Sequence, residues 1–247
     1  MSFLKENERY YPKYRDRQEE LDAIYDVIQT GSSLPSNDEI QQLWTALYYP
    51  SKLRNYIYDE LLSKEYIVGL GAYLAQRVEE LGGTNERPLM ILETGAGDGR
   101  LTHFLRVSLE SLSPGKSHLV ATDKGQMKIP IHHPVEVLDY REALQKYHPT
   151  IVITSWMPPR QDWTPAYRKT ASVQEYLLIG EPDGNVCGSF ATWGEKPDYR
   201  PVCRPAYQRD GFEMFFLEQV TANQFMRQDN PNQYCCSATI AFRRVQL

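Results

Sequence analysis

The chain of 247 residues has no window approaching the ~18 consecutive apolar residues of a membrane-spanning helix. Its opening stretch, MSFLKENERYYPKYRDRQEE, has no apolar core of the kind a secretory leader carries, so a cytoplasmic protein with no membrane partner is expected. Cysteine is scarce: Cys187, Cys203, Cys235 and Cys236 form no CxxC pair. Adjacent Cys235-Cys236 cannot supply the spaced ligand pair of a zinc site, so no metal is expected and the thiols are read as reduced. Basic charge is not in excess. Residues 1–87 carry 10 Lys+Arg against 15 Asp+Glu, and the remainder is balanced at 17 of each. That distribution offers no field for a long nucleic acid. With 41% hydrophobic and 24% charged residues the chain is an ordinary globular protein, not a disordered one.

Two organisations follow one another along the sequence. Over residues 1–85 apolar positions recur at helical spacing: Leu21, Ile24, Tyr25 and Ile28; then, after a Ser36/Glu39 capping box, Ile40, Leu43, Trp44 and Leu47. Leu53, Tyr56, Ile57 and Leu61 suggest a third helix, and Lys64–Leu81 a fourth that ends at Gly82-Gly83. From Pro88 short apolar runs alternate with helical or turn segments. Strands are expected at 88–93, 117–123, 135–139, 150–156 and 175–181, a pattern of parallel strands buried on both faces. Runs 212–220 and 237–245, joined only by a loop with a turn at Asn230-Pro231-Asn232, read as an antiparallel pair at the sheet edge. The expected fold is α/β: a doubly wound, mostly parallel seven-stranded sheet with an antiparallel last strand over residues 86–247, preceded by an N-terminal helical cap or lid over 1–85.

The chemistry is concentrated in Glu93-Thr94-Gly95-Ala96-Gly97-Asp98-Gly99-Arg100, between the first strand and its helix. Glycine lets a backbone turn approach a ligand, and the following helix aims free N–H groups at the turn. Spacing separates two ligand classes. The dinucleotide pattern G-x-G-x-x-G would need glycine where Arg100 stands. A carboxylate at Glu93 repels a pyrophosphate but attracts the ammonium of an amino acid. Asp123 and Asp139 end the second and third strands, at the edge where open α/β sheets bind ligands. Either aspartate alone is equally well read as the N-cap of a following helix.

Glu93-x-Gly95-x-Gly97-x-Gly99 resembles the first motif of class I S-adenosylmethionine-dependent methyltransferases, and the similarity runs in order over roughly residues 88–245. The resemblance implies S-adenosyl-L-methionine as cofactor. Glu93, Gly95, Gly97 and Gly99 would hold the methionine end, Asp123 the ribose diol and Asp139 the adenine amine, with Tyr140 against the ring. Ser155-Trp156, ending the fourth strand, matches the position that faces the methyl donor. These chemistries suit the groups: a carboxylate has two acceptor oxygens for a diol, and an indole face suits a cation.

The acceptor side is less legible. In amino-directed members the loop after the fourth strand carries an Asp/Asn/Ser-Pro-Pro-aromatic motif. Here Trp156-Met157 separates Ser155 from Pro158-Pro159, and Arg160 replaces the aromatic. Ser155, Trp156 and Glu181 are the catalytic candidates; Trp163 is a second possible wall beside the methyl donor. Each also reads as a packing or capping residue of a proline-stiffened turn. Ten tyrosines in the first 85 residues would suit an aromatic lid over a small-molecule acceptor, or simple helix–helix packing. A small-molecule methyltransferase is expected. The alternatives are a protein- or RNA-directed methyltransferase with Arg160, Arg168 and Lys169 clustered, a non-catalytic binding protein on the same fold, and a nucleotide-dependent oxidoreductase.

Overall fold

The computed structural model describes residues 18–46, 60–125, 132–182, 186–195, 203–226 and 237–245. Helices α1 (Gln18–Thr30) and α2 (Asn37–Ala46) lead to strand β1 (Glu60–Leu61) and helix α3 (Lys64–Glu80). Then come β2 (Leu89–Thr94), α4 (Arg100–Leu112), β3 (Ser117–Asp123), β4 (Glu136–Val137), α5 (Tyr140–Tyr147), β5 (Ile151–Ser155), α6 (Thr164–Lys169) and β6 (Glu175–Gly180). The chain continues through α7 (Phe190–Trp193), α8 (Ala206–Arg209), β7 (Phe212–Phe216), α9 (Glu218–Thr221), β8 (Phe225–Met226) and β9 (Ala238–Arg244).

Seven strands form one sheet in the order β4-β3-β2-β5-β6-β9-β7. Every pairing from β4 to β6 is parallel; β9 runs antiparallel to both β6 and β7. This is the doubly wound, seven-stranded arrangement expected from the sequence. Consecutive apolar residues supply both faces of the central strands. Ile91, Ile153 and Leu177 pack under α3 and α4 with Leu70, Leu74, Leu101 and Leu105. Their neighbours Leu92, Val152 and Leu178 face the other way, towards Leu144, Tyr167, Trp193 and Tyr207. Alternation of this kind removes both sheet faces from water, which is why these strands read as continuous apolar runs.

Several expectations shift. Helix α3, within the stretch 1–85 expected as a cap, packs in the same core as the sheet. Of the third expected helix, residues 51–59 lie outside the described residues. Its end is not helical, because Leu61 and Glu60 pair antiparallel with Phe225 and Met226. The run expected as a strand over 212–220 stops at Phe216, and α9 carries Val220 back into the core beneath α3. Tyr10, Tyr11, Tyr14, Tyr48, Tyr49, Tyr56 and Tyr58, the turn at 230–232, and Cys235-Cys236 lie outside the described residues. The three described tyrosines of the N-terminal region are structural. Tyr66 is buried with its hydroxyl 2.9 Å from Thr239 Oγ1, Tyr73 donates to Glu175, and Tyr25 accepts from Gln29. Among the described residues no helix is long and apolar enough to cross a membrane, and no His/Cys/Asp/Glu group could hold a metal ion.

Candidate active site

Strand order reverses between β2 and β5, and a crevice must open where the chain winds away in both directions. A cavity of about 560 Å³ lies there, at the carboxyl edge of the sheet. That volume falls in the ~300–1,000 Å³ range of small-molecule sites. Glu93, Asp123 and Asp139, from three neighbouring strand tips, all line it.

The glycine turn forms its floor. Gly95, Gly97 and Gly99 have φ of 70°, 57° and 79°, a left-handed course closed to most side chains. Two of the three glycines face the cavity, and the third does not. Gly95 and Gly97 line it; an ideal Cβ on Gly99 would instead lie 2.6 Å from Val135 Cγ2. Gly99 is therefore required for packing the start of α4 against the β4 approach. Spacing alone cannot show which side of a turn a residue faces.

Glu93 is 2% exposed. Its Oε2 accepts from the Thr102 amide (3.1 Å) and hydroxyl at the start of α4. Burial pushes its carboxyl up from the ordinary value to about 7, Asp98 and Asp123 push the same way, and the Thr102 donors only partly oppose them. Asp123 is braced by backbone: Gly97 N–H donates to Oδ2 (3.0 Å) and Gly125 N–H to Oδ1 (2.6 Å). The glycine turn and the second strand tip are thus one rigid unit. Asp139 is a helix cap that also lines the cavity. It caps α5, accepting from Arg141 N–H (3.0 Å), while Glu142 reaches back to its own amide (3.1 Å), and it still faces the cavity.

Tyr140 also lines the cavity, but its ring lies 4.8 Å from that of Trp163 with the planes 13° apart, and the Arg141 guanidinium sits 4.6 Å from its centroid. Trp163 in turn overlies Gly95, whose ideal Cβ would be 3.0 Å from the indole. A purine can contact the Tyr140 face covered by Trp163 only once that indole leaves it.

At the β5 tip, Ser155 and Trp156 line the cavity. Trp156 has φ 53°, an outlier for a bulky residue, and its indole Nε1 donates to Glu60 Oε2 at 3.0 Å. Gly180 is required by Cys187 and not by the indole: an ideal Cβ there would be 2.5 Å from Cys187 Sγ but at an ordinary contact distance of 3.7 Å from Trp156 Cδ2. Glu181, half-buried just after β6, is outside the group of residues that line the cavity. It follows two residues after Ile179, which pairs with Ser155 and accepts from the Trp156 amide at 2.8 Å.

The sequence did not single out Glu60, Leu62, Asp98 or Arg100 as lining the site. Arg100 is 7% exposed; its Nε donates to Asp98 (2.8 Å), and its Nη1 donates to the Ile28 carbonyl at the end of α1 (2.9 Å). The residue that breaks the dinucleotide pattern is thus the clamp between the N-terminal helices and the glycine turn. Its only sequence signal was its presence where glycine would otherwise stand.

No family model matches the chain, and no curated protein sequence does. Among solved structures it is similar to the CurJ carbon methyltransferase, at 14% identity over 98% of this chain and 70% of that one, TM-score 0.44. It is similar to the CMeT domain of the citrinin polyketide synthase, at 15% identity over 96% and 68%, TM-score 0.45. A third is the SAM-dependent O-methyltransferase from Thermotoga maritima, at 9% identity over 80% and 72%, TM-score 0.38.

Proposed function

We propose that the protein is an S-adenosyl-L-methionine-dependent methyltransferase acting on a small-molecule acceptor. The observation that carries the reading is the convergence of Glu93, Asp123 and Asp139 with the Gly95–Gly97 backbone on one cavity at the topological switch point. The donor set suits the cofactor. Asp123 has oxygens with lone pairs beyond the two amides they accept, as a ribose diol requires. Glu93 offers an anion to an α-ammonium, and Gly95 and Gly97 let the backbone come close. Asp139 is an acceptor at the adenine end.

When bound, S-adenosylmethionine supplies a methyl group activated by a sulfonium, which departs as a neutral thioether. The chain's task is then mainly placement. The braced turn fixes the methionine end, and Ser155 and Trp156 wall the β5 side, where the acceptor must approach in line at ~3–3.5 Å. No strong base is needed for an acceptor that is already nucleophilic; a positioned one would add ~10²–10⁴-fold.

The small-molecule reading is supported by the N-terminal segment reaching the site: Glu60 and Leu62 line the cavity, and Arg100 ties α1 beside it. The basic cluster expected of a polymer-directed enzyme does not form around Arg168. That side chain is buried, with Nε on Asp210 (2.7 Å) and Nη1 on Thr164 Oγ1 (2.6 Å).

Titration calorimetry tests the reading: S-adenosylmethionine is expected to bind at one site per chain and NAD not at all. NAD binding without S-adenosylmethionine binding would overturn it.

Glu93 gives the binding a pH signature. Its carboxyl sits near 7 in the folded chain, above the ordinary 4.5. Its contribution to stability is therefore fully present below about 4.5 and is lost as pH rises through about 7. Pairing with an ammonium requires the ionised form, so cofactor affinity is expected to rise by up to ~10-fold per pH unit below 7 and level off above it. Calorimetry in buffers of different ionisation enthalpy should register proton release near pH 6.5, absent in Glu93→Gln. A flat pH profile in the unaltered protein would contradict this role.

A further inference from the structure

Glu60 is a carboxylate only 5% exposed, on the two-residue ladder β1–β8, at the end of the cavity where Ser155 and Trp156 stand. Two N–H groups converge on its Oε2, from the Trp156 indole at 3.0 Å and from Gln224 at 3.2 Å. Gln224 is itself oriented. Its Oε1 accepts from Thr239 Oγ1 at 2.8 Å, and that hydroxyl lies 2.9 Å from the buried Tyr66 hydroxyl. The carboxylate is therefore held in place from inside the core.

Its partner Trp156 is the residue with the unfavourable backbone, φ 53°. The strained backbone and the bond to Glu60 together hold the indole at the β5 tip. An indole N–H that donates to a carboxylate is polarised, which adds electron density to the ring and strengthens its attraction for a cation. Carboxylate and ring thus act in the same direction on whatever occupies the cavity beside Ser155.

We infer that Glu60, acting through Trp156, is the specificity-determining residue that reads the positive charge of the methyl donor, so that the cleft holds the sulfonium form more tightly than the neutral thioether. The inference rests on the cofactor reading above. It names a discrimination that Glu93, Asp123 and Asp139 cannot make, because they address groups common to substrate and product. Its use is in turnover: once the methyl has left with the charge, the Glu60–Trp156 pair no longer favours the bound nucleoside, and the product is released.

Calorimetry on the full chain with S-adenosylmethionine and S-adenosylhomocysteine tests this, since the two ligands differ only at the sulfur. The unaltered protein is expected to prefer S-adenosylmethionine. Glu60→Gln, which keeps an acceptor oxygen but not the charge, is expected to weaken S-adenosylmethionine about tenfold and S-adenosylhomocysteine less than twofold. Trp156→Phe, which keeps a ring and removes the N–H, should give a smaller loss of about threefold, again confined to S-adenosylmethionine. Retained S-adenosylhomocysteine binding reports that each variant is folded. Equal loss for both ligands, or no loss for either, in the variant that is folded would overturn the assignment of Glu60 while leaving the cofactor reading intact. Binding of neither ligand by the unaltered protein would overturn that reading, and this inference with it.

Discussion

Asp123→Ala is expected to weaken S-adenosylmethionine and S-adenosylhomocysteine alike by about 100-fold or more. Two hydroxyl donors to a charged acceptor are worth roughly 1.5–3 kcal/mol each, and each ~1.4 kcal/mol is a factor of ten. The structure adds a second route to the same loss. The Gly97 and Gly125 amides both donate to this carboxylate, so its removal also frees the turn that forms the cavity floor. Asp123→Asn should fall between, because it keeps one acceptor oxygen. Because the same carboxylate accepts from the Gly97 and Gly125 amides, the melting temperature of the alanine variant should also fall, at ~2–4 °C per kcal/mol lost. Unchanged affinity in the alanine variant would show that the ribose does not lie at this strand tip.

Arg77→Ala should have the opposite profile: a large loss of stability with the site untouched. Glu175 is fully buried at the amino end of β6. It is paired with Arg77 Nε at 2.5 Å and accepts from the Tyr73 hydroxyl, with Arg243 more distant at 3.9 Å. Removing the principal cation strands a buried carboxylate, which costs about 3–5 kcal/mol. Against a total of ~5–15 kcal/mol that is a large fraction. At ~2–4 °C per kcal/mol for a chain of this size, the melting temperature should fall by roughly 6–20 °C. Glu175 is at the far end of its strand from the cavity, about 16 Å away at ~3.3 Å per residue, so S-adenosylhomocysteine affinity of the folded variant should change less than twofold. A melting temperature within 2 °C of the unaltered protein, on the order of the shift from less than 1 kcal/mol, would contradict the assignment of this cluster as the anchor of α3.

The contrast between these two sites follows what the sequence could and could not reveal. Asp123, Glu93 and the glycine turn were legible because each sits at a strand tip, and a strand tip is announced by its own apolar run. The central strands were placed to within a residue or two for the same reason. The N-cap role of Asp139 was legible, because an aspartate before a helix is a local pattern. That Gly99 packs against Val135 was not legible, because period and spacing fix a turn but not the side to which each residue points. Glu60 was invisible. Its strand is two residues long and pairs with Met226, far along the chain, and Leu61 fell in helical register with Leu53 and Ile57. Trp163 illustrates a third kind of gap. It was named as a wall of the site, but its stacking on Tyr140 depends on how a proline-stiffened loop returns across the glycine turn. The Glu175 cluster depends on side chains from α3, β6 and β9 meeting at one edge, and periodicity reports none of them.

A crystal of the full chain soaked with S-adenosylhomocysteine tests the central claim most directly. The ribose hydroxyls should lie within hydrogen-bonding distance of Asp123, the α-ammonium beside Glu93, and the sulfur at the Ser155–Trp156 end, with the Trp163 indole displaced from any Tyr140 face the adenine occupies. Electron density for the nucleoside anywhere else on the molecule, or a cavity unchanged at saturating ligand, would contradict it.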